Sequence, residues 1–280
     1  MQNFDMDIAA TFTKLVRYEQ GSQIYYGDLL DSSTGKYRVA RLEKTAAGSF
    51  KQVGQEDVVE NLLRPLEWTP IIQCVGLNYR KHATEANLTV PKYPVIFTKP
   101  SDALAGPFDT IPVHADSQEK LDYEGELCVI IGQDAKNVSE ADALNYVLGY
   151  SIGNDVSARH YQLPEVSGGQ FCYAKSFDRF APLGPAIWSS SVVKDPQALS
   201  YKTKVNGEVV QETGTNDMIW SVRQIIQHLS RGTTLRKGTV IMTGTPSGVG
   251  FFKNKFLRHG DVVEVELDGL GSIANSIQFE

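Results

Sequence analysis

The stretch LDYEGELCVIIG, residues 121–132, sets Glu124 and Glu126 two apart at the mouth of an apolar strand. Side chains at i and i+2 of a strand share a face, so the two carboxylates project together, followed on that face by Cys128 and Ile130. Two anions roughly 5 Å apart at an effective dielectric of 20 repel by about 3 kcal/mol. Water screening, a shared proton or a bound cation would each relieve that repulsion. A third acid, Asp155 in YSIGNDVSARHYQ, follows another apolar run and a Gly-Asn pair, where a strand breaks. Three carboxylates on strand ends would form an all-oxygen site of the kind that hard Mg²⁺, Mn²⁺ or Ca²⁺ prefers. The plainer alternative is a solvated strand edge with an Asp turn.

Two further groups carry chemistry. In GLNYRKHATE, residues 76–85, a helix over YRKHATE would put His82 and Glu85 three apart on one face. A carboxylate that orients an imidazole makes a general base near neutral pH, whereas an exposed helix with an incidental pair would do nothing. His114, His160, His228 and His259 have no acid partner at short helical spacing, although His259 lies close to Asp261. Lys99 in IFTKP and Lys175 in YAKSFD follow aromatic-containing runs. Each could neutralise a substrate carboxylate or simply extend its ammonium to solvent.

The elements that must position these groups are mostly strands. Residues 12–66 alternate short β-branched or aromatic runs with turn clusters such as EQGS and DSSTGK. Within them, EDVVENLLRPLEW reads as one short amphipathic helix stopped by Pro65. A boundary falls near residues 68–71, giving a small β-rich unit over 1–69 and a larger one over 70–280. In the larger unit IIQCVGLN, PVIFTKP, CVIIG, VLGYSIGND, YKTKVNGEVV, TVIMTGT and DVVEVELDGLGSI read as strands, with Asn206–Gly207 as a hairpin turn. Helices are expected over 139–145, capped by Ser139, and over 217–231. Without regular βα alternation, the pattern predicts an α+β, mainly β architecture with mostly antiparallel pairing.

Bulk properties narrow the function classes. The 280 residues are 41% hydrophobic and 21% charged, with a formal net charge of −6 and no basic block, which argues against a nucleic-acid partner. No 18-residue apolar run crosses a membrane. The N-terminus carries Asp5 and Asp7 before its first lysine and lacks an apolar signal segment. Cys74, Cys128 and Cys172 are odd in number and widely spaced, so a zinc or disulfide framework is not expected. A reducing, cytoplasmic setting follows, with a mitochondrial one as the alternative. The glycine-rich TGTPSGVG, residues 243–250, lacks the GK[ST] ending of a P-loop and does not fit GxGxxG. Neither GxSxG nor HExxH occurs, which leaves the carboxylates as the chemical lead.

Taken together, the ordered motifs GLNYRKHATE, PVIFTKP, DYEGEL, GYSIGNDVSAR, KSFD, PLGP, NGE, TGTPSGVG and GDVVEVELDGLG resemble the fumarylacetoacetate hydrolase family over residues 72–280. The leading segment FTKLVRYEQGSQIYYGDLL is similar to the small N-terminal domain of its longer members, which include oxaloacetate tautomerases. The resemblance implies a mixed β-sandwich roll, a homodimer and a Mg²⁺ or Mn²⁺ site. By motif position Glu124, Glu126 and Asp155 match its metal ligands, and His82 and Glu85 its general-base pair on a segment that closes as a lid. Lys175, Thr245 and Gln162 match positions lining the substrate site, with Lys99 and Arg159 in support. Two departures stand out: His160 where the family reads SARD, and Tyr173 where many relatives carry arginine.

The implied activity is cleavage of small 2-oxo acids, acylpyruvates or oxaloacetate, by a hydrolase or decarboxylase that stabilises an enolate with its metal ion. Enol–keto tautomerisation of oxaloacetate at the same site is the alternative. A non-catalytic ligand-binding or scaffolding homologue is the reading of another class.

Overall fold

The computed structural model describes residues 11–33, 35–45 and 49–280. The acidic N-terminal stretch with Asp5 and Asp7 lies outside these residues. A twelve-stranded sheet forms the backbone of the molecule, and ten of its strands lie in one continuous path. From one edge these are Phe50–Val59, Tyr37–Lys44, Gln23–Asp31, Lys14–Gln20, Ala181–Ser189, Val147–Asn154, Gly125–Ile131, Val240–Met242, Ile72–Gly76 and Val95–Lys99. Neighbours along this path run antiparallel except Val240–Met242 and Ile72–Gly76, which are parallel. A second sheet orders Glu208–Gly214, Ser200–Val205, Val262–Leu267, Gly271–Phe279 and Ile111–Val113. Val129, Tyr150, Trp188, Tyr201, Val265 and Ile273 belong to one buried cluster that joins the two sheets. The protein is therefore mainly β with mixed sheets, as the alternation of short apolar runs implied.

The central strand Gly125–Ile131 is buried along its whole length and paired on both sides. That explains its unbroken run of apolar residues, since neither face meets water. Gly125 packs tightly against the second sheet: a Cβ there would come within 2.1 Å of Thr203 Oγ1. Asn206 and Gly207 both take positive φ in the turn between Ser200–Val205 and Glu208–Gly214, as a two-residue hairpin requires.

Three helix expectations need correction. Residues 50–59 are a strand and Leu62–Leu63 a short one, so EDVVENLLRPLEW contains no helix. The cross-strand pairing Arg38↔Val58 and the ion pair of Arg41 with Asp57 outweigh the local helical pattern. In SEADALN, Ser139 and Asp142 bond reciprocally, yet only a 3₁₀ turn, Ala143–Tyr146, follows before the buried strand at Val147. The helix expected over 217–231 spans only Val222–Ser230, with Ser221 and Gln224 forming a capping box. Residues 219 and 220 are drawn away from it because both backbone N–H groups bond to Asn78.

Candidate active site

Strand register brings the acids together. Gly125 pairs with Asn154, so the residues just before and just after, Glu124 and Asp155, lie side by side, and the Asp155 N–H donates to the Glu124 carbonyl at 2.8 Å. One carboxylate oxygen from each of Glu124, Glu126 and Asp155 lies within 4.8 Å of the other two, and all three residues are buried. The helix expected over YRKHATE is present as Arg80–Glu85. It places His82 Nδ1 3.3 Å from Glu85 Oε2.

Cations surround the acids unevenly. Lys175, the last residue of the short helix Cys172–Lys175, donates to Glu124 at 2.8 Å, Asp155 at 2.7 Å and Ser157 Oγ at 2.7 Å. Lys99 lies 2.6 Å from the other Asp155 oxygen. Arg159 pairs with Glu124 at 2.6 Å and with Asp122 at 2.8 Å, and also donates to Gln162. Four buried carboxylates, with Asp122 included, thus face three buried cations. Among the described residues no lysine or arginine pairs with Glu126, whose Oε2 accepts the Gly244 N–H at 2.7 Å. Burial and the neighbouring Asp155 and Glu124 push the Glu126 pKa well up. Burial also opposes ionisation of Glu124, but Lys175 and Arg159 outweigh it and hold that group at about 2.

A divalent cation fits this donor set. The three acids offer hard oxygens at close mutual spacing, and with all four carboxyls ionised the cluster would carry one negative charge more than its cations neutralise. A buried, unpaired carboxylate is costly unless a proton or a cation joins it.

Above the acids opens a cavity of about 480 Å³. Glu124, Lys175, Arg159, Gln162, Thr245 and His82 supply its polar wall, while Phe97, Phe171, Phe251 and Phe252 make much of the rest. Glu126, Asp155 and Lys99 lie behind this wall; Lys99 also donates to the Val156 and Phe180 carbonyls. Of the two departures, Tyr173 is 64% exposed and packs edge-on against Tyr161 and Phe177, away from the cavity lining. His160 packs edge-on against Tyr161 as well, with its Nδ1 3.8 Å from Glu119.

The glycine-rich segment 243–250 turns out to bind carboxylates of the protein itself. Besides Gly244 on Glu126, the Gly248 N–H donates to both Glu85 oxygens at 3.1 and 3.0 Å. Gly250 and Phe251 N–H groups donate to Asp122, the partner of Arg159. Thr245 Oγ1 donates to the Gly125 carbonyl at 3.0 Å. Gly248 has φ +102, and a Cβ there would come within 2.2 Å of the Val210 carbonyl, so only glycine presents this amide without strain. Asp122 and these amides escape sequence reasoning because their partners lie 118 to 163 residues away.

Residues 71–278 match the family model described as fumarylacetoacetate (FAA) hydrolase C-terminal. A fumarylacetoacetate hydrolase domain-containing protein 2 homolog of Dictyostelium discoideum is 46% identical over 225 residues, covering 76% of this chain and 73% of that protein. A mitochondrial oxaloacetate tautomerase of Xenopus laevis is 43% identical over 219 residues, covering 78% and 68%. Among solved structures, 2-hydroxyhepta-2,4-diene-1,7-dioate isomerase from Mycobacterium marinum superimposes with a TM-score of 0.82 at 34% identity, covering 96% of this chain and 99% of that one. With three-quarters of its length matched by the family model and its buried acids, imidazole and cavity arranged around one sheet end, the chain belongs to the fumarylacetoacetate hydrolase family.

Proposed function

We propose that this protein is a divalent-metal-dependent tautomerase of small 2-oxo acids, with oxaloacetate as the first candidate substrate. The observation that carries the reading is the single imidazole on the cavity wall, His82, fixed by Glu85 beside a metal-ready acid cluster. The names of relatives support it, since one is an oxaloacetate tautomerase and a structural neighbour is an isomerase of a 2-hydroxy dienedioate.

Enol–keto exchange needs one proton lifted from the enol hydroxyl and one returned to the adjacent carbon. Glu85 is held by the Gly248 N–H and accepts from His82 Nδ1, which leaves Nε2 as the atom that takes and gives the proton. The Lys175 ammonium lines the cavity and adds positive potential where charge develops on the substrate oxygens. Arg159, held by Asp122 and Glu124, keeps Gln162 oriented, and Gln162 and Thr245 line the cavity as hydrogen-bonding groups for substrate oxygens. A divalent ion, Mg²⁺ or Mn²⁺, held by Glu124, Glu126 and Asp155 supplies Lewis-acid stabilisation of negative charge on the 2-oxo acid when bound. Phe97, Phe171, Phe251 and Phe252 limit water around the reacting carbons.

Carbon–carbon cleavage is the second reading, favoured by the same His82–Glu85 pair, which can activate water as readily as it moves a proton. An NMR time course with Mg²⁺, oxaloacetate and separately acetylpyruvate, against an EDTA control, separates the two. Fast enol-to-keto conversion that EDTA abolishes is the expected result. Pyruvate accumulating above background would transfer the site to hydrolysis or decarboxylation, and no ion-dependent change with either compound would leave a binding protein.

A further inference from the structure

Gln211 lies on the Glu208–Gly214 strand of the second sheet and is 2% exposed. Its side chain makes three hydrogen bonds, one to the strand that carries Glu126 and two to the segment 243–250. Oε1 accepts the Gly125 N–H at 3.0 Å, while Nε2 donates to Thr245 Oγ1 at 2.9 Å and to the Pro246 carbonyl at 3.0 Å. Gly125 stands between Glu124 and Glu126. Thr245 and Pro246 stand between Gly244, which holds Glu126, and Gly248, which holds Glu85.

We infer that Gln211 is the positioning residue that sets the spacing between the acid cluster and the His82–Glu85 pair, an inference that rests on the function proposed above. The two halves come from distant parts of the chain. The segment 243–250 is what connects them, and Gln211 ties that segment to the strand carrying Glu126. The position asks for one acceptor and two donors in a single planar group, which a primary amide supplies. An ionised carboxylate keeps the acceptor and loses both donors, and a thioether of similar size loses both donors and offers only a weak acceptor. The Gln211 Cγ also packs against Gly248, lying 3.3 Å from where a Cβ on that glycine would stand. Removing the amide therefore releases Thr245 and the Glu85 anchor together.

The test uses the whole chain in four forms: wild type, Gln211→Met, Gln211→Glu and Thr213→Val. Thr213 is two residues further along the same strand and buried, but its hydroxyl bonds only to the neighbouring Gly214 carbonyl. Hydrogen–deuterium exchange is read in segments 122–127 and 243–250. Gln211→Met is expected to accelerate exchange there by about tenfold or more, with the Val262–Phe279 hairpin unchanged. Its kcat falls about 10- to 100-fold with KM within about threefold, the pattern of misplaced catalytic groups rather than lost binding. Gln211→Glu keeps the bond to Gly125, so Mn²⁺ affinity by paramagnetic resonance stays within about threefold while kcat still falls. Unchanged exchange in 243–250, or the same losses in Thr213→Val at equal fall in Tm, would overturn the inference. If Gln211→Met does not fold, exchange in Gln211→Glu decides. If wild type turns over none of the substrates, the proposed function fails, yet the exchange comparison still decides the role of Gln211.

Discussion

Two buried carboxylate networks sit at different places in this molecule, and they balance charge differently. In the N-terminal strands Asp57 accepts from Tyr18, from two nitrogens of Arg41 and from Gln55, and Arg41 stacks on Tyr25. One acid meets one guanidinium and two neutral donors, and the network is closed. Around Gly125, four acids share three cations and Glu126 is left with one backbone amide. A closed network holds strands together and needs nothing further. An open one beside a cavity is incomplete until a proton or a ligand joins it, and that deficit separates a candidate site from a structural ion pair more clearly than burial does.

The sharpest way to break this contrast is Glu126→Ala. Turnover should fall by about a thousandfold or more, and the rise in Tm that Mn²⁺ gives the wild type should vanish, because ligand-linked stabilisation requires the site. A thermal-shift titration with and without Mn²⁺ reads this directly, and retention of the shift would remove Glu126 from the ligands. Next in size is His82→Ala, which should lower kcat by about 10²- to 10⁴-fold while leaving Mn²⁺ affinity unchanged. A parallel loss of ion affinity would mean that the imidazole serves the acid cluster instead. Asp57→Ala inverts the pattern. It strands Arg41 and should cost about 3 kcal/mol of stability in urea unfolding, with kcat of the folded fraction unaltered.

The smallest effect is in pH dependence. Burial raises the Asp57 carboxyl, but hydrogen bonds from Arg41 and Tyr18 outweigh it and hold the group below the ordinary carboxylate range. Its contribution is therefore complete above the unfolded value of about 4 and is lost as pH falls through the lower folded value. Tm followed from about pH 6 to about pH 3 should drop more steeply in the wild type than in Asp57→Asn. Equal slopes would show that other acids govern the acid limb.

Much of this was legible in the sequence, and the reason is local geometry. Glu124 and Glu126 announce themselves by strand periodicity, His82 and Glu85 by helical spacing, and the Asn206–Gly207 turn by its dipeptide. What stayed hidden depends on distance along the chain. Lys99 reads as an ammonium free for substrate or solvent, and only the fold shows it spent on Asp155. Gln211 looks like any polar residue on a hairpin until its partners at 125, 245 and 246 are in place. The strand at 50–59 was masked by a helical pattern because the cross-strand partners that select it, Arg38 and Arg41 among them, are not adjacent in sequence. TGTPSGVG matches no nucleotide-loop pattern, and the carboxylates it binds are reached by main-chain amides, which leave no side-chain signature.

That last feature bears on how such a protein can change over generations. Glu126, Glu85 and Asp122 each accept from backbone N–H groups at fixed intervals in one segment, and such donors do not depend on the identity of their own side chains except where, as at Gly248, only glycine fits. A one-residue insertion between Gly244 and Gly248 would instead put every later donor out of step at once. Heredity in this loop lies in its length and its glycines, whereas the phenylalanines of the cavity wall set its shape through side chains alone.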